Sequence, residues 1–227
     1  MERIGVLFLA ILLLFAPNSS AIPSEGNFFP ELNETLWAIQ SNNIFLRDFN
    51  KVEGKASTAQ CFVQASYGIS ERFFLDGKVG IGNVSFNVQD GVNLDFHNGF
   101  AGGYGVRYIA HENKKKNIKS IFGFQHISCH PFKDKVNDVQ YRVIWDEWQG
   151  TWLFIKEYEK ASVYIGPQYS AAQLKYKVDS FRRRLKSEDN WGMLVGGNYN
   201  VNKNLMIQAE VRLFDEWALN FGISHKF

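Results

Sequence analysis

The chain predicts an all-β fold: a single antiparallel, up-and-down transmembrane β-barrel of about ten strands. Three observations carry this. The last eleven residues, Trp217 to Phe227, alternate strictly, with Trp217, Leu219, Phe221, Ile223, His225 and Phe227 on one face. Ala218, Asn220, Gly222, Ser224 and Lys226 fall on the other, and a period of two is the mark of a strand. Eleven residues tilted near 45° are long enough to cross a bilayer. Second, the connections between strand-like segments alternate between short and long. Third, Arg3 is followed by an apolar run, Ile4 to Ala16, and then by Pro17-Asn-Ser-Ser-Ala21. That order reads as a secretory signal peptide over residues 1–21, since thirteen apolar residues are too few for a comfortable span.

Residues 22–42 are the least regular part. Phe28, Phe29, Leu32, Leu36 and Trp37 fit either a short amphipathic helix in the periplasm or a plug in the barrel. The barrel is expected over residues 43–227. Its first segment, Ile44 to Asn50, is weak, and without it the count falls to eight. The next spans about Lys55 to Gly68, with Ala59, Cys61, Val63, Ala65 and Tyr67 opposed to Thr58, Gln60, Gln64 and Ser66. Phe73 to Val88 follows, then the segment carrying Phe100, Tyr104, Val106 and Tyr108, then Ile118 to about Ser128. Gln140 to Lys156 is rich in aromatics, and Ala161 to Lys177, Trp191 to Asn200 and Leu205 to Phe214 precede the terminal strand.

The short turns at 69–72, 112–117, 158–160 and 201–204 belong at one end. The longer connections at 89–98, 129–139 and 178–190 belong at the other, with short ones near 51–54 and 215–216, as in transmembrane barrels with short periplasmic turns and longer external loops. A soluble sandwich has no reason to sort loop lengths in this way. The faces agree: Leu205, Ile207, Ala209, Val211 and Leu213 suit lipid tails, while Gln208, Glu210 and Arg212 alternate with them. A charge facing hydrocarbon costs roughly 2–4 kcal/mol at the midplane, so these belong inside. Asp76, Lys78, Arg107, Glu210 and Arg212 are the expected lumen charge network. A barrel of this size is mostly filled by side chains, which excludes a large diffusion pore. Tyr104, Tyr108, Trp145, Trp148, Trp152 and Trp191 read as interfacial aromatics.

A terminal strand closed by Phe227 resembles the last strand of bacterial outer-membrane β-barrels. The resemblance implies a bacterial outer-membrane address, with Phe227 as part of the signal read by the barrel-assembly machinery. It also implies outer-membrane lipid and lipopolysaccharide as surroundings. The net charge of +2 gives no reason to expect nucleic acid as a partner.

One stretch carries possible chemistry, Ile121-Phe-Gly-Phe-Gln-His126-Ile-Ser128-Cys-His130. Alternation puts His126 and Ser128 on the face of Phe122 and Phe124, where a polar group is costly unless it acts on lipid. The stretch is similar to the His-x-Ser-Asn motif of outer-membrane lipid A deacylases, with Cys129 where that family has Asn. The resemblance implies His126 as base and Ser128 as nucleophile, with Asp138 or Asp146 as the orienting acid. The other reading is a strand end in the headgroup region. His126, Cys129 and His130 lack a metal-ligand spacing, so no metal and no cofactor is expected. Arg182-Arg183-Arg184 with Lys186 reads either as a solvated loop or as a contact for lipopolysaccharide phosphates. Cys61 and Cys129 are left open as a pair, since an exported chain permits a disulfide.

The function expected is that of a structural or surface-interaction barrel with a narrow, charged, mostly filled lumen. The alternatives are a lipid A or phospholipid acyl hydrolase using His126 and Ser128, and a soluble lipocalin-like carrier with an apolar interior and polar exterior.

Overall fold

A computed structural model describes residues 28–49, 54–87, 93–136, 139–178 and 181–226. The signal-peptide residues 1–21, Asp138 and Phe227 lie outside the described residues. The strands are β1 (Thr35–Phe49), β2 (Gly54–Gly68), β3 (Phe73–Asn87), β4 (Asn93–Asn113), β5 (Ile118–His130), β6 (Asp134–Val136), β7 (Val139–Glu157), β8 (Ala161–Val178), β9 (Phe181–Lys186), β10 (Trp191–Asn200), β11 (Leu205–Leu213) and β12 (Trp217–Lys226).

Ten of these form a closed antiparallel barrel. The ring closes where β12 pairs with β1, from Leu36 opposite Lys226 to Leu46 opposite Trp217. The terminal strand therefore has both backbone edges paired, with β11 on its other side, and no edge is left to face lipid. The two small strands extend the wall at one end: β6 folds back on β7, and β9 folds back on β8.

One end of the barrel carries only short turns. Four short connections, at 69–72, 114–117, 158–160 and 201–204, lie at one end, the lower end below. The connections after β1, β3, β5, β8 and β11 lie at the upper end. Those after β5 and β8 are longer and carry β6 and β9, while those after β1 and β11, 50–53 and 214–216, are as short as the lower turns.

The exterior is apolar. Val79, Ile81, Phe100, Tyr104, Phe124, Val163, Ile165, Ile207 and Phe221 are all exposed and outward. Their polar neighbours along each strand are buried, among them Gln60, Gln64, Asp76, Lys78, Arg107, Gln208, Glu210 and Arg212. This polarity is the reverse of a soluble carrier's, which overturns the lipocalin-like alternative.

The interior has three layers. At the upper end Phe49, Val84, Phe86, Leu94, Phe96, Trp145, Leu174 and Leu185 form an apolar core that closes the mouth. An ionic layer lies beneath it. Toward the lower end Phe74, Ile109, Ile121, Leu153, Ile155 and Leu194 form a second apolar cluster, with Phe29 packed against it. Phe29 stacks on Phe74 with ring centroids 4.5 Å apart, and the Arg107 guanidinium sits 4.8 Å above the Phe29 ring.

Three sequence expectations change, and the count of ten strands holds. The wall begins at Thr35 rather than at residue 43, so much of the presumed N-terminal segment is strand and none of its described part is helix. The described part of the weak first segment, Ile44 to Phe49, is in the wall, in keeping with ten strands rather than eight. The expected loops at 129–139 and 178–190 contain β6 and β9. Trp145 is no interfacial aromatic: it is fully buried, edge-on to Phe49 at 5.5 Å, and its indole N–H donates to Glu147 at 3.0 Å.

Candidate functional site

The lumen charges fall into two clusters. In the lower one the Arg107 guanidinium grips Asp76 bidentately, Nε to Oδ2 at 2.9 Å and Nη2 to Oδ1 at 2.8 Å. A second donation from Nη2 reaches Ser66 Oγ at 3.2 Å. Lys78 lies nearby and donates to Gln125 at 2.9 Å and Gln40 at 3.4 Å. The cavity beside Asp76 and Arg107 measures about 20 Å³, room for about one water.

The upper cluster holds Glu210 and Arg212, but its centre is Arg47. Its Nη1 donates to Glu147 Oε1 at 2.8 Å and Glu216 Oε2 at 2.6 Å, and its Nη2 donates to the Ser170 carbonyl at 2.7 Å. Arg212 pairs with Glu216 at 2.6 Å, and its Nη2 donates to Asn42 Oδ1 at 2.7 Å. Glu210 accepts from Asn220 at 2.6 Å and from the Tyr164 hydroxyl at 3.2 Å. From β1, five steps around the ring either way reach β7: through β2, β3, β4 and β5, or through β12, β11, β10 and β8. The Arg47–Glu147 bond is thus a strut across the full diameter.

Two arginines face the carboxyls of Glu147, Glu210, Asp215 and Glu216, so the anions are in excess. Asp215, in the connection between β11 and β12, absorbs the mismatch: burial, with Glu216 beside it, pushes its carboxyl up to about 7. Arg47, Glu147 and Glu216 escaped the sequence reading. A bulge between Ile44 and Leu46 places both Ile44 and Arg47 inward, which breaks the period of two.

The outer wall carries a second polar group. His126, Ser128 and Asp146 all point outward, beside the exposed Phe124, Tyr104 and Trp148. Ser128 lies ten residues above the start of β5, about 33 Å along the strand, or about 25 Å of height at a tilt near 40°. That is the thickness of a barrel's apolar band, so the group sits at its upper border.

His126 Nε2 donates to Asp146 Oδ1 at 2.6 Å, and Lys175 bonds the other carboxylate oxygen. The His126 ring lies 4.2 Å from the Trp148 ring and 5.3 Å from that of Tyr104. Ser128 Oγ meets His130 Nε2 at 2.9 Å rather than His126. The residues named for a triad thus form two pairs, Asp146 with His126 and His130 with Ser128. Cys129 points inward and is fully buried, so it shares no site with the two histidines. Cys61 is turned to the outer face, and both thiols are free.

Together these features define a closed ten-stranded β-barrel with an apolar exterior and a filled interior. Comparison with protein-family models and with curated proteins returns no match. Among solved structures, the chain is similar to the translocator domain of the autotransporter NalP from Neisseria meningitidis, at 10% identity and a TM-score of 0.47, covering 89% of this chain and 90% of that one. It is similar to an outer-membrane channel from Pseudomonas putida F1, at 8% identity and a TM-score of 0.46, covering 93% and 99%. The transport unit of the autotransporter AIDA-I from Escherichia coli gives 11% identity and a TM-score of 0.44, covering 94% and 93%.

Proposed function

We propose that this protein is a bacterial outer-membrane barrel with a sealed interior and a structural or surface-interaction role. The observation that carries the reading is the layered interior, in which the Arg47–Glu147 strut lies between two apolar clusters. An ion following the axis would have to displace buried aromatics and break paired charges. The outward apolar face supports the membrane location, and export through residues 1–21 supports the outer membrane over the inner. Purified protein in planar bilayers is expected to give no unit conductance, and to migrate on gels in a heat-modifiable way. Reproducible open-channel steps from the wild-type protein would overturn the sealed reading.

A second reading is favoured by one observation, the outward polar group at the upper border of the apolar band. There Asp146 holds His126, and His130 is placed to take the Ser128 proton as Oγ attacks an ester carbonyl and to return it to the lipid alcohol that leaves as the ester C–O bond breaks. The acyl group would then pass from Ser128 to water. Release of fatty acid from lipid A or a phospholipid, lost in Ser128→Ala, tests this; equal release by the variant removes the hydrolase.

A further inference from the structure

Strands β7, β8 and β9 continue the wall above the apolar band, and their outward faces carry one sign of charge. Cross-strand register stacks Arg142, Lys177 and Arg182 in one rung. The next rung down stacks Ile144, Lys175 and Arg184. Cations directly opposite one another on a sheet repel, with Cβ atoms only about 4.5–5.5 Å apart. Five of these six positions are cationic, in a chain whose net charge is only +2.

The rungs line a cleft of about 660 Å³ together with Val143, Tyr176 and Arg183 and the segment His130–Lys133 from the end of β5, and none of the described lining residues is acidic. Among the described residues, Asp146 holds Lys175 from below. The cleft is continuous with the lipid-facing wall: Ile144 belongs to both, and Trp148 and Phe124 stand beneath it on the same outward face.

We propose that this cationic ladder is a binding site for the phosphate-bearing headgroup of an outer-leaflet lipid. Arginine's planar fork matches phosphate oxygens bidentately, and an anion between the rungs replaces repulsion with charge-assisted hydrogen bonds. A lipid, rather than a free anion, fits the placement. With phosphate in the ladder, acyl chains run down over Trp148 and Phe124 without leaving the apolar surface. Ester linkages just below the headgroup then fall at the level of Ser128 and His126.

The test uses the full chain refolded in zwitterionic micelles and titrated with a fluorescent phosphatidic acid, with binding read by anisotropy. The combined variant Arg142→Gln, Arg182→Gln, Arg184→Gln is expected to weaken binding at least tenfold. Raising salt from about 50 to about 500 mM weakens the wild-type protein similarly. Lys114→Gln, Lys115→Gln, Lys116→Gln, which removes a basic turn at the opposite end, leaves binding unchanged. Heat-modifiable migration reports folding for each variant. If the triple variant fails to fold, Arg182→Gln alone is expected to weaken binding about threefold. Unchanged binding in the folded variants overturns the proposal, as does equal binding of a fluorescent phosphatidylcholine. Displacement of the lipid by inorganic phosphate at matching concentrations also overturns it, because the site would then hold a free anion.

Discussion

Replacing Arg47 with Met tests whether the strut holds the barrel together. The side chains of Arg47, Glu147 and Glu216 are all fully buried, with ion-pair distances of 2.8 and 2.6 Å. Methionine fills part of the volume but leaves Glu147 dry and without its cation, and leaves Glu216 to Arg212 alone. Removing one partner of a buried pair costs about 3–5 kcal/mol, because the uncompensated charge remains. At about 1.4 kcal/mol per power of ten, the folded-to-unfolded ratio drops by about two to three and a half powers of ten. Urea titration of the protein in lipid vesicles, followed by the loss of heat-modifiable migration, measures it. Lys119→Met is the control, since Lys119 pairs with Glu157 at 3.0 Å in a half-open site at the lower end. Such a pair contributes about 0.2–1 kcal/mol. Adding Glu147→Gln and Glu216→Gln to the Met variant should recover part of the loss. If Arg47→Met costs less than about 1 kcal/mol, or no more than the control, the strut is not what stabilises the interior.

Asp215 gives a prediction in pH. Its folded pKa, about 7, lies above the ordinary value of 3.8, so it favours folding fully below about 4 and that contribution is lost as pH rises through 7. Asp215→Asn should flatten the stability profile between pH 4 and 8 and leave the variant more stable at pH 8; an unaltered slope would refute the assignment. Two glycines on β3 should diverge. A Cβ at Gly80 would lie 1.8 Å from the Cys61 carbonyl oxygen, whereas one at Gly77 meets nothing within 4 Å. Gly80→Ala should cost about 1–3 kcal/mol and Gly77→Ala almost nothing, by the same urea titration. Cys61 and Cys129, on opposite faces, should not cross-link. Non-reducing mass analysis after oxidation should show two free thiols, and an internal disulfide would contradict the register of β2.

The exterior was legible in the sequence because lipid imposes one rule on every outward residue. Leu205 to Leu213 and Trp217 to Ile223 obey it, and the structure keeps their faces. The short lower turns at 69–72, 158–160 and 201–204 were legible too, being local. The interior was not. Asp76 and Arg107 could be placed inside by alternation, but nothing local pairs Arg47 with Glu147, a hundred residues away. A single bulge hid Arg47, and the flanking tryptophans drew Glu147 into an aromatic belt that Trp145 does not join. The outward group was half legible: alternation put His126 and Ser128 on the outer face, and the deacylase resemblance offered Asp138 or Asp146 as the acid. It gave no sign that Ser128 would turn to His130, since that depends on side-chain rotation at the strand end.

The diameter-spanning bond also constrains how the protein is made. Arg47 meets partners 100, 123 and 169 residues further along the chain. Those carrying the negative charge arrive with the seventh strand and with the link before the last. Until then an inserting sheet holds a guanidinium with no counter-ion, which hydrocarbon will not accept at modest cost. An inward guanidinium of this kind calls for water around it until the ring shuts and brings Glu147 and Glu216 across. A chain truncated after Leu213 lacks both the closing strand and Glu216, and is left without a dry resting state.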